Sequence, residues 1–107
     1  MANQTESDWK LLRSLHDEML AALCGRINQQ AGEILRAKTG GEHATYLRLF
    51  KHIQDSDRVV AECFNGWRRS IFAQHVVLLR RHKVMTDAQL ERFSPGMRET
   101  VRVLLEV

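Results

Sequence analysis

The chain has 107 residues, 44% of them hydrophobic and 27% charged, with a single proline and a net charge of +3. That length allows one domain with a modest core, and that apolar content excludes a disordered polyelectrolyte. The longest purely apolar run, Val76-Val77-Leu78-Leu79, is far too short to cross a bilayer, and no basic start followed by an apolar block marks a secretory signal. The cytoplasm is therefore the expected compartment. Cys24 and Cys63 are expected as reduced, mostly buried thiols.

Residues 1–41 carry five basic and five acidic side chains, and residues 84–107 carry three and four. Residues 42–83 carry eight and four, so the surplus belongs to the middle of the chain. A surplus this small serves solubility as readily as attraction to an anionic partner.

In chain order, Trp9, Leu12, Leu15, Met19, Leu20, Leu23, Ile27, Ala31 and Ile34 recur in steps of mostly three and four. This spacing predicts an amphipathic helix over residues 7–38. Gly25 and Gly32 interrupt it, as bends or as places where a partner helix comes close, and Gly32 falls near Phe50 in the expected register. Thr39-Gly40-Gly41 predicts the stop and a short turn, which makes the flanking helices antiparallel.

A second helix is predicted over residues 43–82. Its seam is the row Tyr46, Phe50, Ile53, Asp57, Val60, Phe64, Trp67, Ile71, Gln74 and Leu78, eight of which are apolar at steps of four and three. The polar Asp57 and Gln74 either fix a register or lie where the first helix turns away. In a hairpin centred on residues 40–41, Ile34 meets Leu47, Ile27 meets Ile53, and Arg26 lies opposite Asp55. Leu47, Leu49, Val59, Cys63, Phe72, Val76 and Leu79 widen the apolar surface beyond one seam, which calls for further cover.

Thr86-Asp87-Ala88-Gln89 has capping-box spacing, with Met85 and Leu90 placed as a hydrophobic staple, and predicts a short helix over 87–93. Ser94-Pro95 predicts the start of a last helix over 95–106, with Met97, Val101, Leu104 and Leu105 inward.

No pattern of catalysis is present. The sequence has no Glu-x-x-His, no CxxC and no glycine-rich phosphate loop, and Ser70 and Ser94 have no identifiable base. His52 and Asp55 are better read as a surface pair than as metal ligands, and His16 and His75 as packed or rim side chains. No cofactor, metal or small-molecule substrate is implied. The expected architecture is all-α: one helical domain over residues 1–107, a long antiparallel hairpin followed by two short helices, dimerising into a four-helix core. The expected role is a homodimeric protein-binding or regulatory adaptor. Phe64, Trp67 and Phe72 are its interface or core anchors, and no membrane is involved. The alternative is nucleic-acid binding through Arg68, Arg69, Arg80, Arg81 and Lys83, at the basic end of the second helix.

Overall fold

The computed structural model describes residues 2–106, and side chains from Glu6 onward. The fold is all-α: six helices, one 3₁₀ turn and no strand among the described residues. Helix α1 spans Ala2–Ser14, α2 His16–Ala37, α3 Gly41–Phe64, α4 Phe72–Arg81, α5 Asp87–Glu91 and α6 Pro95–Glu106, with the 3₁₀ turn at Arg69–Ile71.

The first predicted helix begins earlier, at Ala2, and is divided at Leu15. The chain bends there without leaving the helical path: Leu15 N–H still reaches Leu11 O and Leu12 O at 3.1 Å, and Met19 N–H reaches Leu15 O at 3.0 Å. Ser14 Oγ also donates to Leu11 O at 2.7 Å, a side-chain competitor of the kind that bends helices. The bend puts Trp9 and Leu12 of α1 and Leu15, Met19 and Leu23 beyond it on one core. The glycines are not the cause. A Cβ at Gly25 would meet nothing within 4 Å, and one at Gly32 would meet Arg36 of its own helix rather than Phe50.

The turn falls at the expected place. Lys38 takes a left-handed conformation with φ 47°, Gly40 and Gly41 follow at φ 83° and 91°, and Thr45 Oγ1 donates to Gly41 O at 2.7 Å inside the first turn of α3. Helices α2 and α3 then run side by side in opposite directions. His16 meets Phe64 at the far end and His52 Nε2 meets Ile27 O at 3.0 Å in the middle.

The largest departure from expectation is the second helix, which does not continue to residue 82. It stops at Phe64: Asn65 is extended, Gly66 has φ 73°, and Arg68 is extended again before the 3₁₀ turn. Asn-Gly is a turn dipeptide because both residues tolerate positive φ, and an uninterrupted apolar rhythm across it does not outweigh that. Trp67 Nε1 donates to Cys63 O at 2.7 Å, which satisfies a carbonyl that the ended helix leaves open. The chain then reverses and α4 enters the core.

That core lies at one end of the molecule. Its fully buried members come from α1 and the start of α2 (Leu12, Leu15, Met19), from Cys63, from α4 (Val76, Leu79), from Met85 and from Val101. Trp9 and Phe72 meet edge to face at 5.8 Å. Arg26 donates to His82 O at 2.8 Å and Lys83 O at 3.3 Å, capping the end of α4, so it does not pair with Asp55 as the register implied. Lys83 is left-handed at φ 58°, and Val84 N–H bonds Leu79 O at 2.8 Å, a Schellman ending that turns Val84 and Met85 inward.

The capping box forms as read: Gln89 N–H to Thr86 Oγ1 at 3.1 Å and Thr86 N–H to Gln89 Oε1 at 2.9 Å, although α5 ends two residues early. Ser94 caps α6 by accepting from Met97 N–H at 3.2 Å. Asp8 of α1, buried, accepts from Ser94 N–H at 2.9 Å and Ser94 O–H at 2.6 Å, which ties the two ends of the chain together. Asp8→Ala removes both charge-assisted bonds and leaves buried donors unsatisfied. It is expected to lower unfolding stability by about 2–3 kcal/mol, read from the urea midpoint, with Asp8→Asn recovering part of the loss.

Candidate functional site

The molecule measures 57 × 26 × 23 Å, and its length comes from the outer half of α2 and α3, which form an arm beyond the core. Between residues 24 and 62 only Thr45 is buried. Four large apolar side chains of α3 stand half exposed on this arm: Tyr46 (60%), Leu47 (49%), Phe50 (52%) and Ile53 (46%), joined by Leu35 of α2 (49%).

Tyr46, Phe50 and Ile53 belong to the row assigned to the seam from sequence, and that assignment is corrected by one residue. The row turned to α2 is Thr45, Leu49, His52, Ser56, Val59 and Cys63, which has the same four-and-three spacing. Its members are buried or half-buried, and His52 reaches across to Ile27 O. It is small and polar enough for two helices to pack on. The greasier row, one residue further along, is rotated by about 100°.

The same geometry applies on α2. Met19, Leu23, Ile27 and Ile34 look toward α3, and Leu20, Cys24, Asn28 and Leu35 follow one residue later, with Ala31 between the last two on the same side. Because the helices run in opposite directions, a one-residue step turns clockwise on one and anticlockwise on the other when viewed from one end. Both later rows therefore point to the same side of the arm. One residue earlier on each helix stand Glu18, Arg26 and Glu33, and Arg48, Lys51, Asp55, Arg58 and Glu62, which point to the opposite side. Lys51 and Arg58 pair there with Asp55 at 3.2 and 3.6 Å, and Glu62 pairs with His82 at 2.9 Å. The arm as a whole is amphipathic, with one charged side and one apolar side.

On the apolar side Tyr46 stacks with His43 at 6.5 Å and with Phe50 at 6.4 Å. Toward the core the row continues through Val60 to Phe64, which stacks with Trp67 at 5.8 Å, and His16 meets both rings edge-on. Asp57 is the carboxylate within the row and is exposed, as is Gln74, so neither is a buried polar register key.

The residues proposed from sequence are dispersed. Phe72 is only 4% exposed and packs on Trp9, so it is a core residue and no surface anchor, while Phe64 and Trp67 are half-buried. Arg69 donates twice to Glu6, Nε to Oε2 at 3.1 Å and Nη2 to Oε1 at 3.0 Å, and lies 5.9 Å from the Trp9 ring centre. Arg80 donates to Met85 O at 3.0 Å and Asp87 Oδ1 at 2.6 Å, and Arg81 to Leu104 O at 3.3 Å. Arg68 and Lys83 are exposed. Helix α4, about 15 Å long, separates Arg68 and Arg69 from the other three, so the five do not form one patch.

A cleft of about 350 Å³ between α4 and α6 is lined by Gln74, Val77, Leu78, Arg81 and Leu104. Among the described residues no group of three His, Cys, Asp or Glu side chains is placed to hold a metal, and no helix is long and apolar enough to cross a membrane. The chain matches no protein family, no characterised protein and no solved structure.

Two side chains near these surfaces have altered acidity. Burial pushes the Cys63 thiol up to about 11; the neighbouring Glu62 carboxylate adds to this and Arg26 opposes it. The folded state thus favours the neutral thiol. Its contribution to stability is complete below the ordinary thiol range of about 8.5 and is lost as pH rises toward 11. At pH 8 maleimide is expected to label the half-buried Cys24 and to reach Cys63 only on unfolding, as mass spectrometry of labelled peptides will show. The hydrogen bonds from Arg69 hold the Glu6 carboxyl below its usual range, with Lys10 and Arg13 adding attraction. That pairing contributes above the ordinary glutamate pKa and fades as pH falls through the lowered one. An NMR titration of Glu6 is expected to move back toward the ordinary value in Arg69→Ala.

Proposed function

We propose that this protein is a small helical protein-interaction module, an adaptor or regulator, whose working surface is the apolar side of the α2–α3 arm. One observation carries the reading: the outer part of the greasiest row of the longest helix, Tyr46, Phe50 and Ile53, stands exposed beyond the core and to one side of the row that meets α2. Scattered exposed apolar residues are ordinary on a protein surface. A contiguous row of Leu35, Tyr46, Phe50 and Ile53, with the ion pairs of Asp55 and Glu62 on the opposite side, marks a surface meant to be covered. Tyrosine and phenylalanine at its centre are the residue types that anchor interfaces, because each covers a large area at small entropic cost. A long, narrow face with helical spacing suits another helical surface better than an extended peptide. It offers neither a pocket nor a convergent set of titratable groups for chemistry.

The basic side chains support nucleic-acid binding less well, because Arg69, Arg80 and Arg81 are engaged within the fold. The test is a photo-crosslinking amino acid placed at position 50, and separately at position 81, in full-length protein in native lysate. Discrete, nuclease-resistant protein adducts from position 50 and none from position 81 are expected. Nuclease-sensitive adducts from position 81, with nothing from position 50, would overturn the reading.

A further inference from the structure

We infer that the occupant of the arm's apolar side is a second copy of this chain, laid across the first by a two-fold axis so that the two arms run antiparallel. This rests on the reading of the arm as an interaction surface and names its partner. The face is suited to itself in composition, in area and in the placement of its central carboxylate, Asp57.

In composition, the face carries large apolar side chains on α3 (Tyr46, Phe50, Ile53, Phe64) and shorter ones on α2 (Leu20, Cys24, Ala31, Leu35), with Asn28 the polar member of the α2 row. Two such faces can meet as a four-helix core with Arg48, Lys51, Asp55, Arg58 and Glu62 all on the far side. In area, the register given below lays residues 41–62 of α3 against the same residues of the second copy, about 32 Å at the helical rise, and two adjacent helices are about 20 Å wide. The product is about 640 Å² for each copy, or about 1,300 Å² in all, which clears the ~1,000 Å² that a specific interface needs.

The direction follows from Asp57. It lies within the row, and the ion pairs of α3 use Glu42, Asp55 and Glu62 instead. Once covered, its carboxylate needs a donor, since a buried unpaired charge is strongly unfavourable. Two orientations bring apolar side to apolar side. With the arms parallel, α3 lies over α2 of the other copy and Asp57 falls on Leu20 and Cys24, which offer no strong donor. With the arms antiparallel, α3 lies over the other α3. Setting Phe50 against Ile53 of the second copy then brings Asp57 opposite the Tyr46 hydroxyl of that copy, next to the His43 ring stacked on it. The symmetry makes that pairing twice.

The full-length protein tests this by sedimentation equilibrium and directed disulfides. At about 20 µM the mass is expected to be twice the 12.4 kDa of the chain. Phe50→Glu, at an exposed position, is expected to weaken association about 100-fold while its circular dichroism stays unchanged. In a Cys24→Ser background, chains carrying Tyr46→Cys mixed with differently tagged chains carrying Asp57→Cys are expected to form the mixed disulfide under mild oxidation. A disulfide between Tyr46→Cys and Leu35→Cys chains instead would overturn the antiparallel orientation. A monomer up to about 200 µM would overturn the second copy as occupant. If position 50 still crosslinks to a different protein in that case, the interaction reading survives; if it crosslinks to nothing, both fall.

Discussion

The reversal at residues 65–68 is the constraint on which the rest of the molecule depends. Gly66 supplies the positive φ, Asn65 leaves the helix in an extended conformation, and the Trp67 indole N–H closes on Cys63 O. Without it α4 would project along the axis of α3 and carry Phe72, Val76 and Leu79 into solvent. With it those side chains join Trp9, Leu12 and Val101 in one core. The same reversal leaves the outer part of α3 with α2 as its only neighbour, and two helices can bury only one side of each other. The exposed face of the arm is thus a consequence of how the core is closed.

The arginines illustrate how a fold can absorb charges that look free in a sequence. A guanidinium presents several donors in a plane, so it suits helix ends, where carbonyls are left open. Arg26 covers the end of α4, Arg80 holds Met85 O together with Asp87, and Arg81 reaches Leu104 O at the end of the chain. Each links elements whose apolar contacts alone fix direction loosely. These three cations therefore hold elements of the fold together.

The features legible in the sequence were those whose cause is local. Thr39-Gly40-Gly41 stops one helix and starts the next through backbone preference alone, and Thr86 with Gln89 closes a capping box within four residues. The break at Asn65-Gly66 was equally local, but the apolar rhythm runs on through Trp67, Ile71 and Leu78 and masks it. Which row of α3 meets α2 was not legible. The rows beginning at Thr45 and at Tyr46 share one spacing and differ by a single residue, and the greasier row is the natural choice when nothing else is known. Only the packing of His52 against Ile27, with the burial of Thr45 and Cys63 at the two ends of its row, decides between them. The partners of Arg69, Arg80 and Arg81 were hidden for a related reason, since they depend on where distant segments come to rest.

The clasp between Asp8 and Ser94 joins positions 86 residues apart, whereas the arm is made of neighbours in sequence. Loop-closure entropy grows by about 0.6 kcal/mol for each doubling of the loop, and contacts between distant residues slow folding. The arm can therefore form early, through turn and helix propensity, while the core waits for both ends of the chain to arrive. During that interval the inward row of α4 is uncovered alongside the apolar side of the arm. An arm completed in that order would be open to a neighbour before the rest of its own chain has closed.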